Sequence, residues 1–238
     1  MAALLVLDDI ELDVIRKDIK HVHLSVHPPT GRVRIAAPEG TSQEALRAFA
    51  ISKLPWIRRQ QAALTAQERE APRLCIDRES HYLWGVRYLM EIEESDTAPM
   101  VKLSHRTLCL RVRPDTNEEG KRELLASWYR AQIRQEVPHL IEKWEKVLGV
   151  VCDKVIVRRM KTMWGSCTPS SRTIRLNTEL AKKPPECLEY IIVHELAHLI
   201  EPTHNERFVS ILDRVLPRWR DSRDRLNELP VRHESWRY

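Results

Sequence analysis

Apolar and polar positions alternate along the first third of the chain, which is the period of a strand with one buried face. Ile10-Glu11-Leu12-Asp13-Val14-Ile15 alternates in this way. So does His21-Val22-His23-Leu24-Ser25-Val26-His27, which a Pro28-Pro29-Thr30-Gly31 turn joins to Arg32-Val33-Arg34-Ile35. His21, His23 and His27 fall on one face of that strand, where the polar side of a sheet is a simpler assignment than a metal site. The period then lengthens. Thr41-Ser42-Gln43-Glu44 opens a helix with a capping signal, and Leu46, Phe49, Ala50 and Leu54 carry it toward Ala66, with a kink expected at Pro55. Residues 68–78 are polar and irregular. Residues 81–92 predict a hairpin or one long bent strand, and 101–103 and 107–112 two more strands.

Beyond a polar junction at 115–120, the stretch 121–147 carries a helical stripe of Leu124, Leu125, Trp128, Ile133, Val137, Leu140, Ile141 and Trp144. Pro138 is expected to bend or divide it, and Gly149 to end it. Residues 151–157 and 173–177 predict strands. Pro184-Pro185-Glu186 begins another helix, because proline is tolerated in a first turn. Residues 218–238 are highly charged, helical at first and then a tail. No internal repeat and no low-complexity tract is visible. The pattern predicts an α+β protein: a β-rich N-terminal region with a helix over 1–114, a second domain over 115–228, and a charged tail over 229–238.

Composition narrows the function classes. Hydrophobic content of 42% and charged content of 31% describe an ordinary soluble globular chain. No apolar run approaches the ~20 residues of a membrane span. The start, Met1-Ala2-Ala3-Leu4-Leu5-Val6-Leu7, lacks the basic segment of a secretory leader. Five cysteines without a C-x-x-C pair suit reduced thiols, so a cytoplasmic protein with no membrane partner is expected. The net charge of +5 is mild, with 34 acidic residues interspersed among the basic ones, so a nucleotide or nucleic-acid partner is allowed without being required. No Gly-rich phosphate loop exists, which leaves a kinase or nucleotide-driven motor without support.

His194-Glu195-Leu196-Ala197-His198, with His204 following, brings in the chemistry. Two imidazoles four residues apart on a helix point off the same face, one turn from each other. Such a motif arises by chance in a few per cent of sequences of this composition, roughly; a histidine at one further fixed position lowers that to about one in a thousand. The segment Leu188-Glu189-Tyr190-Ile191-Ile192-Val193 before it is too apolar for a surface helix, so these ionisable groups sit on a buried element where they need a purpose. Three imidazole ligands leave one position of a tetrahedral Zn²⁺ open, as catalytic sites require, and the ion lowers the pKa of water held there to roughly 7. Glu195 is placed to take that proton. Glu201-Pro202 ends the first helix. Thr203 to Glu206 has the form of a capping box, with Thr203 as N-cap and His204 in the first position of the next helix.

Further elements complete a resemblance. Arg159-Met160-Lys161-Thr162-Met163-Trp164-Gly165-Ser166-Cys167, then Ile174-Arg175-Leu176-Asn177, the two-histidine helix and His204-Asn205-Glu206-Arg207-Phe208 follow in an order that resembles the YgjP-like metallopeptidases, relatives of the SprT-like zinc proteases. Lys53-Leu54-Pro55-Trp56-Ile57 and Tyr82-Leu83-Trp84-Gly85 fit the family pattern more loosely. The resemblance implies a zincin-like domain: a small twisted sheet, its edge strand bordering the cleft, packed on the metal-binding helix. It implies Zn²⁺ held by His194, His198 and His204, Glu195 as base, and a peptide or protein substrate. The chain departs from the pattern at Glu201-Pro202-Thr203, which changes the turn, and at Val209, where many relatives carry Trp.

The substrate-binding candidates keep alternatives. Trp164, Gly165 and Ser166 line a cleft and pair with an extended peptide, or Trp164 is a core aromatic. Asn177 supplies an amide donor to a developing oxyanion, or closes a turn. Cys167 is more often a small buried hydrophobe than a ligand. Arg158, Arg159 and Lys161 hold phosphates or cap a solvated strand end. Two other activities are therefore open: a metal-dependent hydrolase of nucleotide phosphoanhydrides, and a nucleic-acid-associated protease like the SprT relatives. Imidazoles also suit Ni²⁺, Co²⁺ and Fe²⁺.

Overall fold

Alternation becomes sheet, and helical spacing becomes helix, close to where the pattern places them. A computed structural model describes residues 3–7, 9–27, 31–66, 69–70, 74–160, 163–228 and 231–232. They divide into two compact units, Met1–Glu70 with Pro230–Tyr238, and Ala71–Leu229.

In the first unit, strands β1 (Ala3–Leu7), β2 (Ile10–Lys17), β3 (His23–His27) and β4 (Arg32–Pro38) form a sheet in the order β1-β2-β4-β3. β2 and β4 run parallel, and the outer pairs are antiparallel. The inward residues Leu12, Val14, Val33 and Ile35 are buried, as period-two alternation requires, and Leu46, Ala50 and Ile57 of helix α1 (Gln43–Ala66) join them. Ser42 caps that helix by accepting a hydrogen bond from the Ala45 amide at 3.2 Å. The helix runs on through Pro55 without a break. A two-residue strand β5 (Arg69–Glu70) pairs with β13 (Val231–Arg232).

The second unit opens with β6 (Ser80–Leu83), β7 (Val86–Glu94), β8 (Met100–Ser104) and β9 (Thr107–Val112), ordered β6-β7-β9-β8. Order and strand directions repeat those of the first sheet, and here too a long helix follows, α2 (Glu118–Leu148). The repeat is one of topology. It is invisible as sequence similarity because strand alternation constrains only the polarity of each position, which many sequences satisfy. Asn117 caps α2 through the Gly120 amide, Gly149 ends it in the left-handed conformation, and Pro138 lies within it without dividing it. Its buried stripe of Leu125, Tyr129, Ile133, Val137, Ile141, Trp144 and Leu148 shares one core with Leu83, Met90, Leu108, Leu110 and Val112 of the sheet. The chain therefore divides near residue 70, and the break expected at 114/115 lies inside the second unit.

A three-stranded sheet follows, with β12 (Thr173–Asn177) between a parallel β10 (Lys154–Arg158) and an antiparallel β11 (Gly165–Thr168). A 3-10 turn over Thr178–Lys182 leads to α3 (Pro185–Ala197), then α4 (Glu206–Val215) and α5 (Trp219–Glu228). Nearly every residue of α3 from Cys187 to Ala197 is buried, Glu195 among them, so this helix is enclosed on all sides. Two contacts fix its start. The β6–β7 turn, with Trp84 and Gly85 both at positive φ, donates the Trp84 amide to the Ala181 carbonyl at 2.8 Å. Gly85 then lies so close to Pro184 that an added Cβ would sit 3.0 Å from its ring. From α2, Lys143 and Trp144 both donate to the Glu189 carboxylate, at 2.7 and 3.0 Å.

Candidate metal centre

Helical geometry sets the first half of the site. His194 and Glu195 lie in the last turn of α3, and His198 follows directly after its end, still in the right-handed helical conformation. The imidazoles thus keep the one-turn spacing that turns both inward. Nδ1 of His198 lies 3.1 Å from the Glu201 carbonyl; with its proton there, Nε2 is left as a lone pair facing the site.

The Glu201-Pro202-Thr203 turn is stapled by its own side chains. The Glu201 carboxylate accepts from both the Thr203 hydroxyl and the Thr203 amide, which holds its pKa below the ordinary range. Thr203 is therefore not the cap of the next helix. Asn205 is: its Oδ1 accepts from the Phe208 amide at 3.0 Å, and α4 starts at Glu206. His204 lies just outside that helix, with Nε2 3.0 Å from Nε2 of His194.

The three rings gather within 4.7 to 4.9 Å of one another by centroid, and one nitrogen from each lies within 4.8 Å of the others. Buried Phe208 packs against all three at 4.6 to 4.9 Å, and Tyr190 stands edge-on to His194 at 5.7 Å. Nδ1 of His194 is buried and finds no hydrogen-bond partner among the described residues, where packing rather than a carboxylate orients that ring. Burial, and then the two neighbouring imidazoles, push His194 down to about 3; burial also lowers His198. Both rings are neutral near pH 7, the form that ligates a metal.

These donors fit a divalent ion. Two nitrogens bound tetrahedrally at about 2.05 Å are about 3.4 Å apart, and the spread here is closed to that by small side-chain rotations. An all-imidazole set of three leaves an open position. The histidines of β3 form no such group; His27 shares a 2.9 Å hydrogen bond with Ser25 instead.

Glu195 is only 5% exposed. Burial pushes its carboxyl up to about 8. Its neighbour is β11, and the approach is close: a Cβ on Gly165 would lie 2.6 Å from Oε1 of Glu195 and 2.8 Å from Ile191. A cleft of about 490 Å³ opens over the three rings, with Trp164, Gly165, Ser166 and Cys167 on one side and Tyr190, Arg223 and Leu226 on another. β11 is a sheet edge. The Asn177 amide donates to the Trp164 carbonyl at 2.9 Å, so by antiparallel alternation the backbone groups of Gly165 and Cys167 face away from β12.

Trp164, Gly165 and Ser166 line the cleft, and Trp164 also packs against the core. Asn177 does not line it. It is buried, and its two amide protons go to the carbonyls of Met160 and Met163, both at 2.9 Å, while its Oδ1 caps the following 3-10 turn. No proton remains for an oxyanion, so Asn177 clamps the segment ahead of β11. Arg158 and Arg159 are exposed and are absent from the cleft lining; Lys161 lies outside the described residues. Cys167 lines the cleft with its thiol pushed up to about 11, first by burial and then by Glu195, and stands outside the group of three candidate ligands. Phe208 under the rings, Asn205 as cap and the cleft face of α5 were not foreseen as parts of the site. The Asn205-x-x-Phe208 spacing was a signal for the cap; nothing local marks α5.

The family profile of the YgjP-like metallopeptidase domain matches residues 20–229. The chain belongs to the YgjP-like metallopeptidase family. The crystal structure of the metallopeptidase zymogen of Pyrococcus abyssi abylysin matches 37% of this chain and 89% of its own, at 29% identity and a TM-score of 0.35. That of Methanocaldococcus jannaschii jannalysin matches 37% and 90%, at 21% identity and a TM-score of 0.34. A comparison with curated proteins finds no match. Among the described residues, no helix is long and apolar enough to cross a membrane.

Proposed function

We propose that this family member is a zinc-dependent peptidase, with His194, His198 and His204 as ligands and Glu195 as general base. One observation carries the reading: three imidazole nitrogens within 4.8 Å of one another lie beside a buried carboxyl at the floor of an open cleft. A divalent ion held there would polarise a scissile carbonyl and acidify its attacking water. Glu195 would accept a proton from the attacking water and return it to the leaving amine. Its burial keeps bulk water from competing, and its ionised form, which burial disfavours, would be favoured again with a divalent cation held by the three histidines. An extended peptide lies antiparallel along β11 and pairs with the outward backbone groups of Gly165 and Cys167; Trp164 and Ser166 flank it. Arg159 has no part in this arrangement, nor do phosphate or nucleic-acid partners. All five cysteines are free thiols, which supports a reducing, cytoplasmic setting.

The test is zinc-loaded protein against casein and mixed peptides, with metal content measured alongside. Glu195→Gln should lower turnover by roughly a thousandfold or more while zinc stays bound at full stoichiometry. His204→Ala should lose zinc. Wild-type turnover in Glu195→Gln would remove the assigned base, and unchanged zinc in His204→Ala would remove the assigned third ligand.

A further inference from the structure

Among the described residues that line the cleft, Arg223 is the one permanent cation. It comes from α5, whose cleft-lining residues Arg223, Leu226 and Asn227 fall on one helical face, with buried Trp219 one turn before Arg223. The guanidinium is braced on one face, although the side chain is 42% exposed. Its carbon lies 5.1 Å from the ring centre of Trp219, which is buried. Trp219 stacks nearly parallel on Tyr190 at 6.1 Å and 14°, and Tyr190 meets His194 edge-on at 5.7 Å. A row of packed rings therefore runs from the first histidine to Arg223 and sets where the charge sits. Asp224, which is not part of the cleft wall, takes Nε at 2.8 Å and Nη2 at 2.7 Å. A guanidinium has five N–H donors in a rigid fork, so this pair steadies one edge and leaves further donors for a second carboxylate.

We propose that Arg223 makes this a carboxylate-selective peptidase, recognising an acidic side chain or a free C-terminal carboxylate close to the scissile bond. The proposal rests on the peptidase reading above. Arg is the side chain suited to it, because its planar fork matches a carboxylate in two parallel hydrogen bonds, and a cleft walled by Trp164, Tyr190 and Leu226 keeps the pair partly dry. A glutamine or a terminal amide has the same shape and lacks the charge.

The experiment measures binding, so that it does not depend on turnover. Fluorescein-labelled peptides of one sequence would be prepared as twins: Glu against Gln next to the target bond, and free against amidated C-terminus. Their Kd values would be measured by anisotropy on zinc-loaded Glu195→Gln protein, with and without Arg223→Gln or Arg223→Lys. The acidic member of one twin pair should bind roughly tenfold tighter, the size of a charge-assisted hydrogen bond in a half-open site. Arg223→Gln should bring the twins together, and Arg223→Lys should keep part of the difference. The pair that shows the preference identifies side chain or terminus. Equal Kd values in both pairs, no binding of any peptide, or a preference that survives Arg223→Gln overturns the proposal. Failure of the peptidase reading has a different signature: peptides that bind with this preference and are never cleaved by the unsubstituted zinc-loaded protein.

Discussion

Gly165 is glycine because Glu195 leaves no space for a Cβ: the nearest carboxyl oxygen would be 2.6 Å away. Gly165→Ala should therefore push the Glu195 carboxyl or lift β11, costing about 1–3 kcal/mol, as overpacking does. Thermal unfolding and kcat/KM should both fall in this variant while zinc content holds. Glu195 itself ties stability to pH in metal-stripped protein. Its folded pKa of about 8 stands above the unfolded value of 4.5. Between those values the folded state binds more protons, so the stability contribution is fully present below pH 4.5 and is lost as pH rises through 8. His194 acts in the opposite direction lower down: held to about 3 against 6.5, it removes stability as pH falls below 6.5. Removing the carboxylate isolates the first effect. In chelator-treated samples, the Tm of Glu195→Gln should gain on that of the wild type from pH 5 to 8.5. A constant gap across that range would show that Glu195 is not held protonated.

Short elements owe their position to single polar side chains. Asn177 ends β12, clamps two carbonyls of the segment before β11 and caps the 3-10 turn before α3. Asn177→Ala strands those carbonyls, with an expected loss of about 3 kcal/mol in urea unfolding. Asn177→Asp keeps the cap but sets a buried carboxylate oxygen against those two carbonyls, and should cost at least as much as Asn177→Ala. Asn205 does the same service for α4, one residue after His204. Asn205→Ala should cost about 1 kcal/mol and weaken zinc binding in competition with a chromogenic chelator, with Asn205→Ser recovering most of both. Zinc affinity equal to wild type would mean that the turn stapled by Glu201 holds His204 unaided.

Two separate apolar clusters underlie the two units, one formed by residues between 5 and 57 and the other by residues between 75 and 226. All three candidate metal ligands lie in the second. Residues 71–229 expressed alone should therefore fold cooperatively and take up one equivalent of zinc, and the full chain should show two thermal transitions by circular dichroism. A fragment without cooperative unfolding would show that its core depends on the first unit. Both units use the same four-strand order followed by a long helix, and the elements that carry the candidate site are appended to only one of them.

Local spacing was enough for much of this. Strand and helix periods placed most elements, because burial of one face repeats every two or 3.6 residues whatever the partner. The four-residue spacing of His194 and His198 was enough to point two imidazoles the same way, because one helical turn is a local geometry. Contacts between distant residues were not encoded in any window. The pressing of Gly165 onto Glu195, the diversion of Asn177 from cleft to clamp, the joining of the 80–112 sheet to the core of α2 and α3, and the turning of Arg223 into the cleft all exist only where the folded chain brings remote segments into van der Waals contact.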